Sequence, residues 1–237
     1  MEENNKSKDY FLPLSILMAA VLVAGSIIYA VGAFTSGSRA GKENSNPKLA
    51  MVHQAVTKAI SDRDVILGDP KAPVTFIEYG DYQCPFCAKF FRETEPLLRE
   101  NYIKTGKIKM AFRNFQFLGA ESVAAAQAAE CAKDQGKFWS YHDALYQAEM
   151  NDGRENSGNL NRDLFSKIAQ TLGLGLTPFL SCYDSGKYKD QVKKDIADAQ
   201  AIGVDSTPVV FVNDQEVKGA LPYSQFQGLI ENALKGS

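Results

Sequence analysis

The feature that most constrains this chain is the pair Cys84 and Cys87, placed just past a run that reads as a buried strand. That run, Val74-Thr75-Phe76-Ile77-Glu78-Tyr79, is β-branched and aromatic and is bounded by Pro73 and Gly80. A short turn, Gly80 to Gln83, leads into Cys84-Pro85-Phe86-Cys87. Ala88 to Lys104 then carries helix-forming residues, with Pro96 expected to kink or interrupt the helix. Two cysteines spaced this way at a helix start share one face and come within bonding distance. The first meets the unpaired N–H groups and the positive end of the helix dipole, which favour a thiolate. A thiolate is both the attacking species and the better leaving group in disulfide exchange. The same spacing could be half of a zinc site, but zinc needs about four ligands. His53 and His142 stand apart, as do Cys131 and Cys182, so no second pair completes such a site. Strand, Cys-x-x-Cys, helix is the redox arrangement, and no metal is expected.

The rest of the chain supplies a frame for that unit. Lys107 to Phe112 alternates polar and apolar residues as a half-exposed strand does. A helical block follows: Glu121 to Gln135, Lys137 to Glu149, Arg162 to Leu172, Pro178 to Tyr183 and Tyr188 to Ile202. Thr177-Pro178 reads as an N-cap followed by proline at the first helical position. Val209 to Asn213 and Gln215 to Lys218 read as a strand hairpin, and Tyr223 to Leu234 as a closing amphipathic helix. The order predicts an α/β fold with a segregated helical subdomain.

The N-terminus bears on location. No side chain from Tyr10 to Ser38 is charged, and Phe11 to Phe34 is dominated by Leu, Ile, Val, Ala and Met. About 20 such residues cross a bilayer core of roughly 30 Å, and a secretory signal has a shorter apolar region. An uncleaved anchor is the favoured reading; cleavage after Ala33 is the alternative, since Val31 and Ala33 suit the small-residue rule. Lys6 and Lys8 precede the span and Arg39, Lys42 and Lys48 follow it, so the positive-inside rule gives no vote on orientation. The expected organisation is therefore a tail at 1–9, a transmembrane anchor at 10–34, a linker with a short helix at 35–64, and a globular domain at 65–237 whose helical insertion covers about 120–202.

Composition excludes some function classes. A net charge of −2, with both signs scattered, lacks the basic footprint of nucleic-acid binding. The densest lysine cluster, Lys187, Lys189, Lys193 and Lys194, alternates with aspartates and reads as a solvated helix face. Asp152, Glu155, Asn156 and Asn159 lack the ligand spacing of a calcium loop and read as a solvated connector. His142 follows Trp139 and Tyr141 and reads as a packing residue.

Beyond these patterns, longer motifs carry a resemblance. Gly68-Asp69-Pro70-Lys71-Ala72-Pro73-Val74, then Glu78-Tyr79-Gly80-Asp81-Tyr82-Gln83 into the dithiol, resembles the opening of the DsbA-like thioredoxin-fold oxidoreductases. Cys131-Ala132, Gly136 to Trp139 with Tyr141-His142, and Cys182 to Gly186 resemble their helical insertion, and Gly203 to Pro208 their active-site loop. The likeness runs from about Val65 to Leu234. It implies a thioredoxin-like fold with a helical insertion subdomain, preceded here by the transmembrane helix and linker. It implies Cys84 as an exposed nucleophile, Cys87 as the resolving thiol, Pro85 and Phe86 as the active-site dipeptide, and Thr207-Pro208 as a cis peptide beside the sulfurs where substrate binds. Taken alone, Pro208 could equally be a trans proline opening a strand. In the resemblance Glu78 passes protons to and from the buried thiol; the alternative is a rim carboxylate facing solvent. Strong oxidants of this kind often carry histidine where this chain has Phe86. For Cys131 and Cys182 three readings stand: a structural disulfide, which is favoured, free buried thiols, or a second redox couple.

The expected function is oxidation of cysteines in exported, folding polypeptides by dithiol–disulfide exchange at Cys84/Cys87. No bound cofactor is needed. The implied reoxidant is a membrane quinone-linked partner of the DsbB or VKOR type, and the implied location is the cell membrane, single-pass, with the catalytic domain extracytoplasmic. An isomerase or reductase on the same fold is the alternative. Isomerases of this superfamily dimerise through a separate domain, and the roughly 30 residues between Phe34 and Val65 are too few for one, so a monomer is expected. A non-catalytic anchored binding module is the third reading, which the intact cysteine pair opposes.

Overall fold

A computed structural model describes residues 60–236. The anchor expected at 10–34 and, but for Ile60, the short helix expected over Leu49 to Ile60 lie outside the described residues. Strand β1 (Val74–Gly80) is followed by helix α1 (Pro85–Glu93), a short helix α2 (Glu95–Leu98), a π-helical turn (Arg99–Ile103) and strand β2 (Ile108–Asn114). Helices α3 (Ala120–Lys133), α4 (Phe138–Asp152), α5 (Arg162–Thr171), α6 (Leu176–Asp184) and α7 (Lys189–Ala201) form the insertion. Strands β3 (Val209–Val212) and β4 (Gln215–Lys218) and helix α8 (Tyr223–Lys235) complete the chain.

The sheet order is β2-β1-β3-β4, with β1 parallel to β2 and antiparallel to β3. The central strand β1 is buried at every residue, which is why its sequence is a continuous apolar run rather than an alternation. Side chains alternate between the two faces of a strand. Val74 and Phe76 join Phe90 of α1 and Phe226 of α8 in one core cluster, with Phe76 and Phe226 ring centroids 5.8 Å apart. Ile77 and Tyr79 join Phe211, Ala199 and Ile202 on the other face. Glu78 shares the period of Val74 and Phe76, so the strand aims a carboxyl at the dithiol-helix side. A third cluster fills the helical insertion, where Cys131 of α3 and Cys182 of α6 are joined by a disulfide with a Cα–Cα distance of 5.8 Å.

One local rule acts as the sequence predicts; the Thr177-Pro178 reading differs, with Pro178 the third residue of its helix instead of the first. Pro96 cannot donate to a carbonyl four residues back, and the dithiol helix ends at Glu93 before restarting as α2. Helix α6 is capped by Gly175, and Thr177 lies inside its first turn instead of capping it. The first-turn N–H groups have no intrahelical partners, so Pro178 fits there at no hydrogen-bond cost. Packing also begins slightly ahead of Val65. The buried Asp64 carboxylate pairs with Arg113 at 2.7 Å, Arg63 pairs with Asp195, and the indole N–H of Trp139 donates to the Val65 carbonyl at 3.0 Å. Among the described residues no helix is long and apolar enough to cross a membrane.

Candidate active site

The dithiol is delivered by a braced turn. Gly80 ends β1 where a Cβ would come within 2.5 Å of the Phe112 ring, so only glycine lets the strand pass. The Asp81 carboxylate accepts from the N–H groups of Gln83, Phe117 and Leu118 at 2.9, 3.0 and 3.1 Å, and the Asp81 carbonyl accepts from Cys84 N–H at 3.0 Å. Gln83 donates to Ser122 Oγ at 2.8 Å and accepts from Asn156 N–H. The segment around Asn156, expected as a plain solvated connector, thus reaches across to the turn that holds the nucleophile. Its signal was hidden, because a positive φ at Asn156 and its partner Gln83 meet only in the fold.

Cys84 is the N-cap of α1, with Pro85 at the first helical position. The missing N–H of proline is no loss there, and the free N–H groups of Phe86 and Cys87 face the sulfur. The Cys84 thiol donates to the Thr207 carbonyl at 3.4 Å, and the Thr207-Pro208 peptide is cis. Cys84 is only 5% exposed and Cys87 is fully buried, while Phe86 is 61% exposed. The nucleophile is therefore less open than the resemblance implies, because the Thr207-Pro208 loop lies against it. Both thiols are free.

The two sulfurs differ sharply in acidity. The hydrogen bond from the Cys87 thiol lowers the Cys84 pKa to about 6; burial opposes this, and the Thr207 side chain and the helix N–H groups assist. Burial pushes Cys87 well above the ordinary thiol range, and the neighbouring Cys84 and Glu78 push the same way. Glu78 is 1% exposed, so it is not a rim carboxylate, and neither carboxyl oxygen has a hydrogen-bond partner among the described residues. Burial, then Glu95, raises its pKa well above 4.5, with Arg99 opposing. Around this centre Tyr82, Phe112, His142 and Tyr146 pack into a closed aromatic shell in which Tyr82 Oη lies 3.3 Å from His142 Nδ1. His142 is fully buried, as the packing reading expects.

One low-pKa thiol, one high-pKa thiol at one helix end, a buried carboxyl of raised pKa near them and a backbone carbonyl against the first sulfur: this constellation is built for thiol–disulfide exchange. Comparisons with known proteins agree. A family model described as Thioredoxin matches residues 61–232. Disulfide bond formation protein D of Bacillus subtilis is 32% identical over 178 residues, covering 72% of this chain and 77% of that protein. The crystal structure of oxidised BdbD from Bacillus subtilis superposes with a TM-score of 0.67 at 30% identity, over 73% of this chain and 94% of that one. That of Wolbachia pipientis alpha-DsbA1 gives 0.66 at 26% identity, over 74% and 93%. The chain belongs to the DsbA-like thiol–disulfide oxidoreductases of the thioredoxin family.

Proposed function

We propose that this oxidoreductase works as a dithiol oxidase on exported polypeptides that carry cysteines. A substrate thiolate attacks Cys84 Sγ of the Cys84–Cys87 disulfide, and Cys87 leaves as a thiolate that takes a proton from Glu78. A second substrate thiolate then attacks the substrate sulfur of the mixed disulfide. The substrate leaves with its disulfide, and Cys84 is released as a thiolate, so two electrons have passed to the enzyme. The observation that carries this reading is the split in acidity between Cys84 and Cys87. Stabilising the reduced form as a Cys84 thiolate makes the disulfide form the oxidant.

Thr207 and Pro208 bound the approach to Cys84, and exposed Phe86, Leu97 and Leu221 offer apolar contacts to an unfolded chain. Reoxidation by a membrane quinone-linked protein of the DsbB or VKOR type, and single-pass anchoring at 10–34 with the catalytic domain outside the cytoplasm, belong to the same proposal. The uncharged apolar run Phe11 to Phe34 supports the anchor. Phe86, which offers no hydrogen bond to the thiolate, is the observation that favours a reductase as the second reading. Equilibration of the full-length protein against glutathione redox buffers decides between them. A potential well above the thioredoxin value of about −270 mV is expected, and one at that value would establish a reductase.

A further inference from the structure

A cleft of about 540 Å³ opens beside the dithiol, between α1 and the end of α4, and the exchange chemistry does not use it. That is the size of a side-chain or small-ligand pocket. One wall is α1, where Pro85, Ala88 and Arg92 recur at helical spacing and share a face. The other is the last turn of α4 with the connector that follows, bringing Met150 and Arg154. Gln83 also lines the cleft, so both chain neighbours of Cys84 open onto it. Ala88 sits one turn below Cys84, its N–H donating to the Cys84 carbonyl at 3.0 Å, and its single methyl leaves the room. The far wall is fixed in place. Asn156 N–H donates to Gln83, its side-chain amide donates to the Leu118 carbonyl at 2.8 Å, and Gly158 N–H donates to Glu121 at 2.9 Å.

The charged groups of these walls have partners of their own. Glu149, nearly buried, accepts from Asn159 at 2.9 Å, Arg92 pairs with Glu93 at 2.7 Å and Arg154 with Asp152 at 3.5 Å. What the cleft offers an incoming group is the apolar surface of Pro85, Ala88 and half-buried Met150, whose unbranched thioether adapts to varied shapes. A polypeptide sulfur that reaches Cys84 Sγ brings its neighbouring residues over Gln83 and Pro85, since one residue spans about 3.5 Å. We propose that this cleft is a specificity subsite that seats an apolar side chain of the substrate polypeptide, one or two residues from its cysteine, on Pro85, Ala88 and Met150. The proposal rests on Cys84 exchanging with a polypeptide thiol and holds for either direction of electron flow. Contact with Cys84 tethers the substrate, so a single apolar contact is enough to select among sequences.

The test uses the oxidised full-length protein and peptides with a single cysteine, identical except for leucine, glycine or aspartate placed one or two positions before or after it. The peptide thiolate attacks Cys84 Sγ and forms the mixed disulfide, and Cys87 departs as a thiolate that takes up a proton. Quenching with an alkylating reagent and mass spectrometry give the rate for each peptide. In wild type, leucine should exceed glycine by about tenfold at one of these positions, the selectivity that a small apolar pocket supplies. Met150→Trp fills the cleft and should bring the leucine-to-glycine ratio below about twofold, and Met150→Ala, which removes part of the wall without adding bulk, should bring it to roughly threefold. A ratio taken within one variant cancels any change in the reactivity of Cys84 itself.

Equal rates for leucine and glycine at every position in wild type overturn the subsite without recourse to a variant. A leucine preference that survives intact in Met150→Trp belongs to another apolar surface, such as exposed Phe86, and also overturns it. Aspartate faster than leucine would assign the cleft to Arg92 and Arg154 and overturn its apolar character. If Met150→Trp does not fold, Met150→Ala decides, and an unchanged ratio there counts against the subsite. Exchange with none of the peptides overturns the subsite together with the reading of Cys84 as the group that meets substrate, whereas exchange without selectivity overturns the subsite alone.

Discussion

Cys84 Sγ and the Thr207 carbonyl oxygen lie 3.4 Å apart although 123 residues separate them in the chain. The contact joins the start of the dithiol helix to the residue before the cis proline, and it places the reactive sulfur beside the entry to β3. A carbonyl only accepts, so this contact favours the protonated thiol; the low pKa of Cys84 comes first from the Cys87 thiol of the local motif.

The first prediction concerns that acidity. Thiolate absorbance or alkylation rate against pH for the reduced protein should give a midpoint near about 6 for Cys84, with Cys87 unreactive in the native state. Because the Cys87 thiol is the largest cause, Cys87→Ala should raise the midpoint. A Cys84 midpoint at the ordinary thiol value of 9.0 would remove the basis of the exchange mechanism.

Replacing Phe86 by histidine tests the active-site dipeptide. An imidazole at this exposed N-terminal position gives the thiolate a donor and, when protonated, a positive neighbour. The Cys84 midpoint should fall below that of wild type, and the glutathione equilibrium should move toward the reduced protein by roughly tenfold per pH unit of that fall. An unchanged equilibrium would show that residue 86 does not face the sulfur.

Glu78 predicts a pH dependence of stability. Its carboxyl binds its proton more tightly in the folded than in the unfolded chain, where 4.5 is the ordinary value. The folded state therefore holds the extra proton above that value, and unfolding free energy is lost as pH rises toward the folded pKa. Glu78→Gln abolishes the loss. Urea unfolding should show little difference between the two proteins below about pH 4 and an advantage for the variant that grows toward neutrality. A variant that is equally destabilised at every pH contradicts this.

The Cys131–Cys182 bridge closes a loop of 51 residues inside the insertion. The chain-entropy model assigns such a loop about 4 kcal/mol. A Cys131→Ala/Cys182→Ala double variant should unfold at markedly lower urea concentration, yet keep the Cys84 midpoint near that of wild type, since neither cysteine contributes to the acidity of Cys84. A large change in that midpoint would show that the bridge is coupled to the dithiol.

The sequence by itself determined what is local. The strand Val74–Gly80, the dithiol at a helix start, the break caused by Pro96 and the β3–β4 hairpin follow from side-chain period, proline geometry and the N–H groups of a helix end. The strand alone leaves Glu78 open between a proton carrier and a rim carboxylate, and its burial in the fold decides against the rim. Only the tertiary structure decided how deep Cys84 sits, and that Asn156 braces Gln83. The same holds for Arg99 of the π-helical turn pairing with both Glu95 and Asp143. Nothing in the sequence singled out Glu95 within the helix-forming run Ala88 to Lys104, since burial is set by which helix packs across it. A pKa answers to the charges and solvent around a group in space, and neighbours far apart in the chain supply most of both.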